Sequence, residues 1–314
     1  MELGLTGLAS GFDWGTLVEQ LTEVERAPQG SQAFVRINNP PDGTTTTSYQ
    51  DTGAQAGSSY TYRVRAYATA GGYSGYSNLA NATTPSVPPE SPNVRDRGFD
   101  SLRVCWSAPS GVGTVMSYTV ERRVAGAPAF AEVVTVPAAE TSFLNTGLTR
   151  STKYEYRIKA NYPSGVPATS AVVSSWTWIN YEMDVHPRFR DAIGARPNGC
   201  AESDCHAGAS PDGGLPLDGD ASATWIAAVR TTRTTTPEKP WEFRTIPCHP
   251  ETSLILMMPS GLGVLPHSGG RPWTQGGTTF ELVKEWILQG ARHNAPGAPV
   301  DHYAPNACGR PDCR

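Results

Sequence analysis

Thr47-Ser-Tyr-Gln-Asp-Thr-Gly53 followed by Tyr60-Thr-Tyr-Arg-Val-Arg-Ala66, and Thr141-Ser-Phe-Leu-Asn-Thr-Gly147 followed by Tyr154-Glu-Tyr-Arg-Ile-Lys-Ala160, are two copies of one pattern. In each copy the Tyr-x-Tyr-Arg run follows its glycine by the same interval, Gly53 to Tyr60 and Gly147 to Tyr154. The run alternates apolar and polar residues, as a strand with one buried face does. Equal spacing marks an internal repeat. Residues 34–84 and 88–178 are therefore expected to form two β modules.

Composition agrees with short strands and turns. Gly 32 and Pro 27 make up about 19% of the 314 residues, against about 12% in an ordinary soluble chain. Long bundles and coiled coils are thereby excluded as the main architecture. Eight Trp and twelve Tyr argue for packed cores over full disorder. The net charge of -4 comes without any Lys/Arg run, which speaks against a nucleic-acid partner. No stretch is apolar for long enough to predict a membrane span. The first 21 residues do not read as a secretory signal, because Asp13 and Glu19 interrupt any apolar core.

The repeated modules resemble fibronectin type III domains. Tyr60 and Tyr154 match that family's tyrosine-corner position, and Trp106 in Leu102-Arg-Val-Cys-Trp106 matches its core tryptophan. The resemblance implies sandwiches over 34–85 and 86–178, with a stiff Pro-rich linker at Ser86–Pro92. The second module is complete. The first is incomplete, because its counterpart of the Trp106 strand is missing. Either residues 1–33 supply replacement packing or this sandwich is truncated. Cys105 is expected to be an isolated core thiol. Residues 1–33 are expected to be helical: Leu17, Leu21 and Val24 share a face, Asp13 could cap the start and Pro28 ends the run. The words Leu3-Gly-Leu-Thr-Gly-Leu-Ala-Ser-Gly-Phe-Asp13 and Val24-Glu-Arg-Ala-Pro28 resemble the N-terminus of the flagellar filament-cap (hook-associated) protein.

Five of the six cysteines lie at or beyond position 200. Gly199-Cys-Ala-Glu-Ser-Asp-Cys-His-Ala-Gly208 is the informative word. A c-type haem uses two cysteine tethers and a histidine directly after the second. Here four residues separate Cys200 from Cys205, where the common form has two, and His206 follows. The spacing alone leaves haem, a disulfide and a zinc half-site open. Glu202 and Asp204 between the cysteines read as a solvated loop. Pro187-Arg-Phe-Arg-Asp-Ala-Ile193 is expected as a short helix before the site. Downstream, Phe280, Val283 and Ile287, widened by Leu282 and Trp286, predict an amphipathic helix ended by Gly290.

The order of four further words extends this reading. Gly213-Gly-Leu-Pro-Leu217, Pro250-Glu-Thr-Ser-Leu-Ile-Leu256, Pro266-His-Ser-Gly-Gly270 and the closing Phe280–Ala291 stretch resemble the cytochrome c-like domains of multidomain proteins in planctomycetes and related bacteria. The resemblance covers about residues 187–293. It implies a mainly α haem domain over 179–293, followed by a tail at 294–314. One covalent haem c would be tethered by Cys200 and Cys205, with His206 as proximal iron ligand. His267 is the expected distal ligand, with Met257 or Met258 as alternatives. The expected function is then an exported, periplasmic or surface, monohaem electron carrier that meets an unknown redox partner protein. The sandwiches serve as spacer or attachment modules. The alternative is a non-haem surface adhesion protein whose last domain is held by disulfides or zinc, with Cys248-His249 completing a zinc site. Cys308 and Cys313 repeat the four-residue spacing without a following His, which suggests a local disulfide. No phosphate loop, nucleophile elbow or zinc-protease helix is present, so an enzyme reading has no support of its own.

Overall fold

The computed structural model describes residues 2–4, 21–38, 48–68, 72–110, 114–164, 166–191, 199–201, 206–208, 215–230, 244–262, 271–291 and 293. Seven strands come first: β1 (Glu2–Gly4), β2 (Leu21–Pro28), β3 (Val35–Arg36), β4 (Ser48–Gln50), β5 (Ser59–Ala68), β6 (Gly72–Tyr73) and β7 (Ala80–Thr83). One sheet runs β3-β2-β5-β6, with β7 also on β5, and the other is β1 against β4. Eight more follow: β8 (Glu90–Arg95), β9 (Leu102–Ser107), β10 (Ser117–Val124), β11 (Ala131–Pro137), β12 (Ser142–Asn145), β13 (Lys153–Asn161), β14 (Ala168–Thr169) and β15 (Val173–Trp176). Their sheets run β12-β9-β8 and β11-β10-β13-β14, with β15 also on β13.

The strand register repeats as the sequence does. Glu25 lies opposite Arg63 and Arg26 opposite Tyr62, as Glu121 lies opposite Arg157 and Arg122 opposite Tyr156. The helix expected through Leu21 and Val24 is therefore overturned, and Val24–Pro28 is part of β2. The segment alternates Glu23, Val24, Glu25, Arg26, and alternation wins because both faces find partners. Val24 enters the core at 2% exposure. Glu23 meets Arg65 at 2.5 Å and Glu25 meets Arg63 at 2.6 Å. Asp13 and Leu17 lie outside the described residues. The missing counterpart of the Trp106 strand is also found. β1 lies on β4 with Leu3 opposite Tyr49, as Val104 lies opposite Phe143. The first sandwich thus takes in residues ahead of 34, which supply the replacement packing.

A polar clamp ties the two sheets of each sandwich together. Arg26 donates to the Asp51 carboxylate at 2.7 Å and Tyr62 donates to the same oxygen at 2.9 Å. In the second sandwich Arg122 and Tyr156 both donate to the Asn145 side-chain oxygen at 2.9 Å. Buried polar groups must be paired, so these contacts fix which strands can face each other. Both tyrosine corners form. The Gln55 amide donates to the Tyr60 hydroxyl at 3.1 Å, and the Thr149 amide to the Tyr154 hydroxyl at 3.0 Å. Trp106 is buried and meets Tyr118 edge-on at 5.4 Å, inside a core shared with Val104, Val120 and Ile158.

The expected linker is shorter than Ser86–Pro92, because β8 already begins at Glu90. Pro92 is tolerated there because the strand bulges between Glu90 and Asn93. The junction between sandwiches is close-packed. Gly57 has φ +60, and a Cβ on it would lie 2.3 Å from the Tyr162 ring. Tyr162 donates to the Val87 carbonyl at 2.8 Å, and the Gly57 amide donates to Pro85 at 3.1 Å.

Beyond residue 178 the described elements are short helices and turns. A single π-turn (Tyr181–Val185) runs into a 3-10 helix (His186–Phe189) with Pro187 in its first turn. The helix expected at 187–193 is a single 3-10 turn that starts at His186 and ends at Phe189, and residues 192 and 193 lie outside the described residues. α1 (Ala221–Trp225), α2 (Leu254–Ser260) and α3 (Thr278–Leu288) follow. On α3 Phe280, Leu282, Val283, Trp286 and Ile287 are all buried, as expected. Gly290, at φ +94, ends it. Tyr181, Phe189, Trp225, Leu256 and Trp286 are part of one core.

Replacing Tyr154 by Phe deletes the acceptor for the Thr149 amide. The expected cost is about 1 kcal/mol, read as a lower urea midpoint with an unchanged denaturant slope. An unchanged midpoint would show that the corner contributes nothing.

Candidate functional site

The site is built from the turn before Cys200 and the loop after His206. Gly199 stands at φ +59, and a Cβ on it would lie 2.2 Å from the Asp191 carbonyl oxygen, so the turn requires glycine. The Cys200 amide donates to the Phe189 carbonyl at 2.7 Å. Its side chain is buried at 7% exposure in the same core as Phe189 and Trp286. His206 Nδ1 lies 3.2 Å from the Leu215 carbonyl, and the Leu217 amide donates to the His206 carbonyl at 2.7 Å. Arg190 donates to the Asp218 carbonyl at 2.8 Å and to that of Gly219 at 2.5 Å. The Leu215–Gly219 segment thus wraps the histidine and is itself fastened to the helix before Cys200.

Among the expected site residues, Cys200 and His206 are brought to this loop and core. Cys205 and His267 lie outside the described residues, as do the side chain of Met258 and Cys308 and Cys313. Met257 is half-buried on α2, with its amide donating to Ser253 at 3.0 Å. His249 is exposed, 3.1 Å from the Glu251 carboxylate. Cys248 is disulfide-bonded. That overturns its expected part in a zinc site, since a bonded sulfur offers no thiolate. Cys105 is also disulfide-bonded rather than an isolated thiol. Among the described residues no three His, Cys, Asp or Glu side chains gather to hold a metal ion.

Sequence reasoning missed a buried aromatic cluster around Tyr181. Its ring centroid lies 5.1 Å from that of Trp286, 5.8 Å from His293 and 5.9 Å from His186. The Tyr181 hydroxyl and His186 Nε2 are buried and have no hydrogen-bond partner among the described residues. Orphans of this kind cost about 1–3 kcal/mol each. Burial, reinforced by the Arg190 charge, pushes the His186 imidazole below its ordinary value. A hydrogen bond to the Gly219 backbone opposes that shift. The only signal in the sequence was a His-Pro pair in the turn before Cys200, and apolar spacing gives such a pair no weight.

A sealed joint holds this helical unit on the second sandwich. The Gln289 side chain accepts from the Ile179 amide at 2.9 Å and donates to the Thr177 carbonyl at 3.2 Å. Arg97 meets Glu285 at 2.6 Å, with both side chains 11% exposed. The Trp178 indole donates to the Arg97 carbonyl, and its amide donates to Gly98 at 2.8 Å. Asp184 accepts from Ser151 and from Arg150, the latter at 3.1 Å.

Residues 87–176 match the model of the fibronectin type III domain. The second sandwich is a fibronectin type III domain. Exoglucanase B of Cellulomonas fimi is 35% identical over 144 residues, which are 42% of this chain and 12% of that protein. The chain thus spans about an eighth of the length of this curated relative. Among solved structures, a two-domain fibronectin type III segment of chicken tenascin is 20% identical, covers 53% of this chain and 84% of its own, and has a TM-score of 0.41. The FN1–FN3 domains of chicken CNTN1 are 19% identical, cover 51% of this chain and 56% of their own, and have a TM-score of 0.29.

Truncating Gln289 to Ala leaves the Ile179 amide and the Thr177 carbonyl unpaired. The expected loss is about 2–3 kcal/mol, seen as an earlier melting transition of the helical unit. No shift would show that the joint adds nothing to stability. His186 gives a pH dependence. Its folded value lies below an unfolded value of about 6.5, so its contribution is intact above pH about 6.5 and is lost as pH falls through the folded value. Melting temperatures taken from pH 7.5 to 5.5 are expected to drop in the wild type and to flatten in His186→Phe.

Proposed function

We propose that this chain is an exported electron-transfer protein, in which two β-sandwiches hold a C-terminal haem c unit at a fixed distance from an anchor or partner. The hydrogen bond from His206 Nδ1 to the Leu215 carbonyl carries this reading. It fixes the tautomer whose lone pair sits on Nε2, the arrangement a metal-ligating histidine needs. His206 directly follows the Cys200–Cys205 pair, and Cys200 is seated in an apolar core. The fit of the residues to a flat apolar group with a polar edge rests on that core. It also holds the Tyr181 hydroxyl and His186 Nε2, two buried polar atoms that want partners.

On this reading Cys200 and Cys205 hold the haem as thioethers and His206 is one iron ligand. His267 is the second, with Met257 or Met258 in its stead as the alternative. The group supplies reversible one-electron transfer when bound. The chain positions its edge, excludes water with the Phe189, Trp225 and Trp286 side chains, and offers that edge to a redox partner protein. The fibronectin type III match supports spacer or attachment modules. The disulfides at Cys105 and Cys248 support an oxidising compartment, periplasmic or extracellular.

A specific observation favours a second reading. Cys248 is disulfide-bonded. If its partner is Cys205, the unit is a disulfide-held surface module without haem.

Export in a host with cytochrome c maturation distinguishes the readings. The expected product is red and keeps its haem through a denaturing gel. A colourless product of unmodified mass would rule out the haem reading. In the red protein, His267→Ala is expected to alter the oxidised spectrum. An unchanged spectrum would move the ligand to Met257 or Met258.

A further inference from the structure

The seam between the second sandwich and α3 contains a cleft of about 240 Å³ that the electron-transfer reading does not use. One wall is a single face of α3: Glu281, Lys284, Glu285 and Leu288 follow at i, i+3, i+4 and i+7. The other wall is the outer face of β13 and β15, where Lys153 lies directly opposite Trp176 and Ser174 is two residues back along the strand. The floor is electrically closed, because Arg97 and Glu285 neutralise each other at 2.6 Å.

The rim is not neutral. Lys153 makes no ion pair among the described residues, and Lys284 has Glu281 at 3.8 Å and the Phe280 ring at 5.9 Å. Two lysines from two different domains therefore line one hollow, together with the Glu281 carboxylate. Clefts at domain seams are where small ligands settle, and the one positive charge by which Arg97, Lys153 and Lys284 exceed Glu281 and Glu285 favours an anion there.

We propose that this cleft binds a small, multiply charged oxyanion, a phosphate or polycarboxylate, held between Lys153 and Lys284 with the Ser174 hydroxyl as a further donor. Trp176 walls the cleft from the sandwich side. Because the two cations come from the two domains, the bound anion bridges the seam and stabilises the joint. The inference does not depend on haem, and the exported full chain serves as the sample whether or not it carries haem.

Inorganic phosphate and citrate are titrated into the full chain, with sodium chloride at matched ionic strength as control. At an anion concentration about tenfold above Kd the melting temperature is expected to rise by about 3 °C. The Lys153→Gln, Lys284→Gln double variant, which removes both ammonium charges, is expected to lose that rise while melting close to the wild type in chloride. A rise with either probe that the double variant abolishes supports the site. The absence of any rise beyond chloride, or an equal rise in the double variant, overturns it.

Discussion

Backbone groups buried between two domains must find partners, and Gln289 meets that requirement for the crossing from sandwich to helical unit. Its amide closes both the Ile179 N–H and the Thr177 carbonyl. Those residues carry the chain from β15 into the helical unit, so their conformation bears on where α3 lies. Arg97 with Glu285, and Asp184 with Ser151 and Arg150, fasten the same seam from either side. Pairing of this kind leaves the sandwich little freedom to swing against the helical unit. It turns a chain of modules into a support of defined geometry, the property a spacer must have.

Much of the sandwich architecture could be read from the repeat itself. Tyr60 and Tyr154 take the same corner, and the alternation in Tyr154–Ala160 puts Tyr154, Tyr156, Ile158 and Ala160 on the buried face. The signal failed where one residue set fits two periods. Leu17, Leu21 and Val24 satisfy a helical stripe, yet Glu23, Val24, Glu25 and Arg26 also alternate. The partners that decide the matter, Arg63 and Arg65, lie some forty residues further along. Local spacing cannot see such partners. For the same reason Asp51 and Asn145 gave no sequence signal as clamps, although each ties an arginine and a tyrosine across the two sheets.

The sequence named candidate residues for the site but not their geometry. Cys-x4-Cys-His named Cys200 and His206, and the words around Leu215 and Phe280 placed the loop and the closing helix. The Tyr181–His186 pair was invisible, since a buried polar group looks like any other His or Tyr in a turn. The disulfides at Cys105 and Cys248 were invisible for a different reason. Pairing between distant cysteines leaves no trace in spacing, and Cys105 sat alone in its half of the chain.

The destination of Cys205 decides the account. The direct measurement is the mass of the proteolytic peptide spanning residues 199–208, from protein exported under cytochrome c maturation and kept unreduced. The expected peptide carries one haem through Cys200 and Cys205. A haem-free peptide cross-linked from Cys205 to Cys248 would contradict the account.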